Sequence, residues 1–580
     1  PLFGVEVPVL AHPLADPEKG SGIAMICTFG DVTDVVWWRE LQLPTRSIVT
    51  RSGHIVATPP PGVPDGPAWQ AIAGSTVKAA QRTMVTLLSE SGEMIGDPRP
   101  ITHPVKFYER GDRPLEIVTS RQWFIRNGGR DEPLRGELLK RGAELSWHPP
   151  YMQVRLEDWI NGLNGDWLIS RQRFFGVPIP VWYLLDAAGE PDHDHPLVPD
   201  ESRLPIDPTT DVPDGYDAAQ RGVPGGFTGD PDVLDTWATS SVTPQIACGW
   251  EDDPELFAKT FPMDLRPQGY EIIRTWLFAT LLRSNLEHDV LPWKDTNVNG
   301  WVLDPDRKKM SKSKGNVVTP MPLIDEFGSD AVRYWACNGR PGTDTAVDTG
   351  IMKIGRRLAI KILNASKFAL GRLGEEQPPG LDAVSTPLDR ALLAQLAEVV
   401  ATATTALEGF DYARAQEVTE TFFWSFCDDY VELVKTRAYG DGDPTGTQSA
   451  RATLAAALSV LHRLFAPFVP FVTEEVWSWW QTGSVHRTSW PTVAEVGGGG
   501  ADTTALTVTA GVLAEVRKAK TAAKRSMRAR VAQLVVSGPP DVLAAVEAAQ
   551  GDLVDAGGVD QLELQPGDAL VVLVTLAEEG

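Results

Sequence analysis

The sequence predicts a multidomain protein of α/β plus α class: α/β domains first, then an α-helical bundle, then a small α/β domain at the carboxyl end. Three observations carry this expectation. A chain of 580 residues exceeds what one hydrophobic core fills, so about three to five domains are expected. Between 119 and 325, apolar strand-like runs alternate with amphipathic helical stretches, the pattern of an open sheet covered by helices. From 388 to 480 the apolar residues recur at helical spacing instead.

Residues 1–118 carry short β-like runs punctuated by Gly and Pro, such as Leu2 to Leu10, Gly22 to Cys27 and Ser47 to Thr50. With one helical stretch near Trp69 to Ser89, they read as a small α/β or β-rich domain. The sheet region 119–325 is interrupted at about 187–230 by a loop rich in Pro, Asp and Gly, which reads as a surface insertion. Residues 326–387 connect it to the helices. In 388–492, Leu392, Leu396, Val399, Leu407, Val418, Phe422, Phe426, Tyr430 and Leu433 share helical spacing, as does a run from Ala452 through Phe465 to Trp480. Together these predict a bundle. Glycines 497–500 suggest a flexible linker. The final domain, 501–580, is expected to be a helix (about 504–530), a strand, a helix and two strands ending near Leu576. There is no internal repeat.

Apolar residues make up 42% and charged residues 22% of the chain, a globular balance that excludes general disorder. No apolar run approaches the roughly 20 residues that cross a bilayer, and no signal peptide opens the chain. A cytoplasmic protein without a membrane partner is therefore expected, and a monomer is the expected state. Cys27, Cys248, Cys337 and Cys427 lie far apart with no CxxC pair, so buried free thiols are predicted. His193 and His195 lack cysteines nearby, and no metal site is assigned. Residue 1 is proline and the first residues already read as strand, so the chain is expected to be a piece of a longer protein.

The net charge of −24 speaks to solubility; local clustering decides binding. Arg517, Lys518, Lys520, Lys524, Arg525, Arg528 and Arg530 fall in a stretch, Val516 to Pro540, that contains no acid. Val512, Val516, Ala519, Ala523 and Met527 form its predicted buried stripe, leaving the cations to face outward toward phosphates. A solvated charged face is the alternative.

The strongest chemical signal is Lys309-Met310-Ser311-Lys312-Ser313, followed by Lys314-Gly315-Asn316. Two lysines three residues apart on a Ser/Gly-rich turn can aim ammonium groups at one anion, and small residues admit phosphate oxygens to the backbone. No GxxxxGK[ST] string occurs, which excludes a P-loop enzyme.

The five-residue string resembles the signature loop of class I aminoacyl-tRNA synthetases. Trp167-Leu-Ile-Ser-Arg-Gln-Arg-Phe-Phe-Gly-Val-Pro-Ile-Pro-Val-Trp182 resembles a segment shared by their valine, isoleucine and leucine members. Asp232-Val-Leu-Asp235-Thr-Trp237 is closest to the valine-specific ones. The resemblance implies a Rossmann-like catalytic domain, of which 119–325 would be the second half. It implies that Lys309 and Lys312 are catalytic, and that Lys309, Ser311, Lys312, Ser313, Gly269, Glu271, Gly300 and Val302 bind ATP with Mg2+. Trp237 and Asp235 would line the amino-acid pocket. Glu271, in Gln268-Gly269-Tyr270-Glu271, would hold the ribose; otherwise it is a helix-start glutamate, and Trp237 is a core tryptophan.

Gly20-Ser-Gly-Ile-Ala-Met-Ile-Cys-Thr-Phe-Gly-Asp31-Val-Thr-Asp34 is similar to the later part of the editing domain, which places 1–118 there. Asp34, with Asp31 beside it, would anchor the α-amino group of a misattached amino acid; as turn or cap residues they need no such role. Residues 326–387 would touch the tRNA stem. Phe410-Asp-Tyr412 and Phe465-Ala-Pro-Phe-Val-Pro-Phe471 resemble the anticodon-binding bundle. Arg517, Lys520, Lys524, Arg525 and Arg528 would bind tRNA.

The implied activity is ATP-dependent attachment of valine to tRNA(Val), with hydrolytic editing of threonyl-tRNA. Isoleucine or leucine specificity, or a tRNA-binding relative without catalysis, are the alternatives. The family's His-x-Gly-His string is absent from the chain. The family places that string upstream, so the chain alone is expected to be inactive.

Overall fold

The computed structural model describes residues 3–26, 32–100, 107, 115, 118–374, 378–441, 443–497 and 502–578, with the side chains of Val32 and Ser313 excepted. It divides into two units, Pro1–Phe124 and Ile125–Gly580.

The first unit is less sheet-like than its sequence predicts. The helix expected near Trp69 is present in two pieces, Pro67–Gln70 and Val77–Glu90, the second started by the Thr76 hydroxyl, which accepts the Ala79 N–H at 3.3 Å. Ile55, Trp69, Ile72 and Ala80 make its small core. The extended runs expected at Leu2 to Leu10 and Gly22 to Cys27 form no strand among the described residues. Isolated bridges such as Val49 to Ile55 are all that appears, and Leu10, Ile23 and Met25 are exposed. An extended segment without a neighbour gains neither ladder hydrogen bonds nor burial.

The second unit opens with the predicted sheet. Ser146–His148, Trp293–Asn299 and Met263–Gly269 form three parallel strands in that order, with Gly269 opposite Asn299 at their carboxyl ends. Helices Glu132–Glu144, Gln153–Asn161 and Phe278–His288 supply Leu138, Leu156, Ile160, Leu281 and Leu282, which pack with Trp293 and Val298 of the sheet. Helical cover of this kind is what parallel strands require.

The insertion is a folded lobe rather than a loop. Trp182–Leu184 pairs antiparallel with Phe227–Gly229, and Trp182, Ile206 and Phe227 form a core of their own. The Trp182 indole N–H donates to the carbonyls of Pro208 and Asp211, both at 3.1 Å, and so ties the intervening chain down.

Helices Thr349–Leu373, Pro387–Glu408, Tyr412–Ser425, Pro444–Phe465 and Pro470–Ser478 build the bundle. Leu392, Leu396, Phe422, Phe426, Tyr430 and Leu433 are buried in it, as their spacing predicts. Pro387–Glu408 is by length and hydropathy apolar enough to cross a membrane. Its Leu388, Leu392, Leu396 and Val400 lie instead in the bundle core.

The glycine linker lies outside the described residues apart from Gly497, which caps a short turn in the left-handed region. Beyond it, helix Thr504–Ala522 is followed by a three-stranded sheet in which Val531–Gly538 lies between parallel Leu562–Pro566 and antiparallel Val571–Leu576. Two helices, Pro540–Ala548 and Gln550–Gly557, stand where one was expected. The first helix stops at Ala522 rather than near 530, because Lys524 takes a positive φ of 56° and turns the chain. The Met527 side chain, assigned to a buried stripe, is consequently exposed.

Candidate functional site

The carboxyl ends of parallel strands, where the chain leaves the sheet, are where open α/β folds place ligands. Here Gly269 and Asn299 end adjacent strands. After Gly269 the backbone runs through a 3-10 turn, Tyr270–Ile272, and a π turn, Ile273–Leu277, before entering the helix Phe278–His288. Glu271 is exposed, and its carboxylate folds back over Gly269, where a Cβ would collide with it. Gly300 is fixed by close approach: a Cβ there would strike the Thr343 carbonyl and the Asp344 backbone. Val302 opens a short strand, Val302–Leu303, parallel to Thr345–Ala346, with its side chain half exposed.

Asp344 organises the two strand ends. Its Oδ1 accepts the Trp301 backbone N–H at 2.8 Å and the Tyr270 hydroxyl at 3.3 Å. Burial first, and then Asp344 itself, push the Tyr270 phenol above its ordinary pKa, so it stays a donor. The Tyr270 and Trp301 rings stack with centroids 5.8 Å apart and 13° between planes. The Lys309 ammonium sits 3.0 Å from the centre of the Trp301 ring. The first lysine of the loop is thereby brought to the strand ends that hold Gly269 and Gly300.

The loop itself is clamped by two residues that sequence reasoning gave no role. Asp304 is buried, and its carboxylate accepts the Lys308 N–H at 2.7 Å and the Asn316 side-chain N–H at 2.7 Å. Asn316 in turn donates to the Lys309 carbonyl at 3.2 Å and accepts the Ser311 N–H at 3.0 Å. The Lys308 N–H, then the Asn316 amide, hold the Asp304 carboxyl below the usual carboxylate range. Lys312 lies in the 3-10 turn Lys312–Lys314, closed by Gly315 at φ 67°, and is exposed. The Ser313 side chain lies outside the described residues. Asn316 stood in the quoted string; Asp304, twelve positions before it, had no local signal pointing to it.

Asp235 is buried. It caps helix Thr236–Ser240 by accepting the Trp237 N–H at 3.0 Å, and it is ion-paired with Arg171. Trp237 is half-buried. The Trp276 indole N–H donates to the Ser240 carbonyl at 2.9 Å, which packs this segment against the turn that follows Gly269. A further tie comes from the bundle: the Tyr412 hydroxyl donates to Asn299 Oδ1 at 3.0 Å, one residue before Gly300.

Of the editing assignments, Asp31 lies outside the described residues, and Asp34 sits partly buried in the first turn of helix Val32–Glu40. The basic segment is divided. Lys520 does not face outward: it is buried, its ammonium donating to the carbonyls of Gly557 at 2.7 Å and Met527 at 3.0 Å. Burial, then Arg530 and Arg517, lower its pKa. It closes the chain reversal that ends the helix. Arg517 pairs with Asp429 at 3.4 Å, and Arg525 donates to the Ala577 carbonyl at 3.4 Å. Lys524 and Arg528 are exposed. Among the described residues no group of three His, Cys, Asp or Glu is placed to hold a metal; His195 pairs with Asp192 at 2.9 Å.

A family model described as tRNA synthetases class I (I, L, M and V) matches residues 37–348, and one described as the anticodon-binding domain of tRNA ligase matches 389–535. The chain is 62% identical over 573 residues to a valine–tRNA ligase of Thermobifida fusca, covering 98% of this chain and 65% of that one. Against the valine–tRNA ligase of Salinispora tropica it is 58% identical over 589 residues, covering 98% and 68%. For Cutibacterium acnes the figures are 55% over 584 residues, 100% and 67%. The chain thus spans about two thirds of the length of the curated relatives it matches.

Proposed function

The chain belongs to the class I tRNA synthetases and, within them, to the valine–tRNA ligases, and from that premise we propose that the full-length protein attaches valine to tRNA(Val) using ATP. Valine and ATP give valyl-adenylate and pyrophosphate; the acyl group then passes to the terminal adenosine of the tRNA. The observation that carries the reading is the lysine loop, clamped by Asp304 and Asn316 and brought to the strand ends at Gly269 and Gly300.

In this reading Lys309 and Lys312 meet the negative charge that grows on the departing pyrophosphate. Glu271 receives the ribose hydroxyls, and Trp237 walls the aliphatic pocket. Magnesium would enter on the phosphates of ATP, and the work assigned to the lysines does not run through it. Identities of 55–62% with valine enzymes favour valine over isoleucine or leucine.

Residues 1–118 would be the later part of an editing domain, with Asp34 taking the ammonium of a misattached threonine. An apolar pocket rejects an added hydroxyl only weakly, a limit for which valine enzymes set against threonine are themselves the standard illustration. Residues 326–387 would touch the tRNA stem and 388–492 its anticodon arm, with the exposed cations of 501–580 on its backbone.

The test is Lys312→Ala in the full-length protein. Valine-dependent ATP–pyrophosphate exchange should lose about 3–4 kcal/mol of transition-state stabilisation, with valine binding nearly unchanged. Equal losses in binding and in rate would overturn the assignment.

A further inference from the structure

Lys309 is one of two lysines in the loop, and its surroundings distinguish it from Lys312. Its ammonium lies 3.0 Å from the centre of the Trp301 ring, well inside the range in which an indole face attracts a cation. The Trp301 ring is placed by its faces and its backbone. One face stacks with Tyr270, the backbone N–H is held by Asp344, and the indole N–H makes no hydrogen bond among the described residues. Tyr270 is itself pinned, with the Arg155 guanidinium 4.5 Å from its ring centre and its hydroxyl on Asp344. The platform under Lys309 is therefore built from two strand ends, while the clamp through Asp304 and Asn316 fixes the backbone on either side of that lysine.

We propose that Trp301 is a positioning residue for Lys309, its indole face holding the ammonium at the strand ends until phosphate oxygens replace it. The role in catalysis rests on the reading of the loop given above; the holding itself does not. Without nucleotide, a loop lysine in water samples many rotamers and must lose that freedom when charge develops. Parked on the ring, it has already lost part of it, and the exchange of a π face for phosphate oxygens strengthens the interaction as the reaction proceeds. Lys312 has no aromatic ring beneath it among the described contacts, so the two lysines would divide the work: one held, one mobile.

The test labels amines in the full-length protein without ATP, using an isotopic acetylating reagent and peptide mass spectrometry, with Lys312 as the internal reference. Trp301→Met removes the π face and keeps an apolar side chain. It should raise acetylation of Lys309 relative to Lys312 by about three- to fivefold, the scale of an exposed cation–π contact. Trp301→Phe should stay within about twofold of wild type on the same basis. Fluorinated tryptophans placed at 301 keep the ring's shape while draining its negative face, and so answer the question if the methionine variant does not fold. Lys309 labelling should climb with each added fluorine. A Lys309 to Lys312 ratio that ignores both the methionine and the fluorines would overturn the proposal, and so would a rise of both lysines together. In the exchange assay Trp301→Met should lower kcat more than it raises KM for ATP. A flat labelling ratio sinks the parking, whereas normal exchange in Lys312→Ala sinks the reading of the loop.

Discussion

At the scale of single residues, what surrounds a side chain decides what it can do: Lys309 lies on the Trp301 ring, and His462 is buried beside Ser366. Five consecutive residues, Lys309 to Ser313, sufficed to predict a phosphate-facing loop. What holds the loop, Asp304 and Asn316 across it and Trp301 beneath Lys309, depends on a chain reversal that no spacing rule describes. His462 is a second case. It lies within the predicted helical run, yet nothing local says that it is buried. Its Nε2 meets the Ser366 hydroxyl at 2.8 Å, its Nδ1 has no partner among the described residues, and burial lowers its pKa from 6.5 to about 3. The folded state thus declines a proton that the unfolded chain accepts below pH 6.5. Its contribution to stability is fully present above that value and is lost as pH falls toward 3. Between pH 6.5 and 5 the unfolding free energy should drop by about 2 kcal/mol on this account. His462→Gln should flatten that slope in urea titrations at a series of pH values; an unchanged slope would mean the imidazole is charged or solvated in the fold.

At the scale of elements, helices were legible throughout and strands only in the second unit, because a helix closes its hydrogen bonds locally whereas a strand waits for a neighbour. The bundle helices fall where Leu392, Phe422 and Phe465 predict, while the extended runs at Leu2 to Leu10 and Gly22 to Cys27 form no strand among the described residues. The basic element was half legible. The density of cations pointed to a surface, but the turn at Lys524 ends the helix at Ala522 and Lys520 donates to the carbonyls of Met527, past that turn, and Gly557 of another helix. Its cations therefore divide into different jobs. Lys520→Met should destabilise the fold by about 1–3 kcal/mol, since two buried carbonyls lose their donor, and should leave the salt dependence of tRNA binding alone. Lys524→Ala with Arg528→Ala should do the reverse. If both cations reach phosphates, the slope of log K against log salt should shrink by roughly 0.7–0.9 for each. Salt titrations of tRNA binding beside thermal melts separate the two classes. A Lys520→Met variant that melts normally but binds tRNA with a reduced slope would restore the outward-facing reading.

At the scale of the whole second unit, the bundle and the carboxyl-terminal domain, distinct in sequence and joined through glycines, share one core. Buried residues run without a break from Leu392 and Phe465 to Val516, Leu534 and Leu553. Composition suggested a boundary because the helical period gives way to strands there; a shared interior leaves no such mark. One arginine closes the join. Arg437, beside the bundle, reaches Asp389 through Nη1 at 3.0 Å and Nη2 at 2.9 Å, and Asp552 of the last domain through Nε at 2.7 Å and Nη2 at 3.0 Å. Tyr430 and Ser449 donate to the same Asp389 at 2.8 and 2.6 Å. Burial alone would weaken the guanidinium's hold on its proton; the hydrogen bonds it donates to Asp389 and Asp552 more than reverse that, and it stays charged. Removing the cation leaves two carboxylates facing each other with little water, so Arg437→Met should destabilise this region by about 3–5 kcal/mol. Replacing Asp552 by Asn removes one charge and keeps a polar partner, and should disturb it less. Because the interior is continuous, wild-type protein should melt the bundle and the last domain in one transition. Arg437→Met should split it, with the carboxyl-terminal domain opening first. Differential scanning calorimetry, with hydrogen exchange on helix Gln550–Gly557, reads both. Two transitions already present in the wild type would show that the glycine-marked boundary, and not the shared core, governs how this part of the chain unfolds.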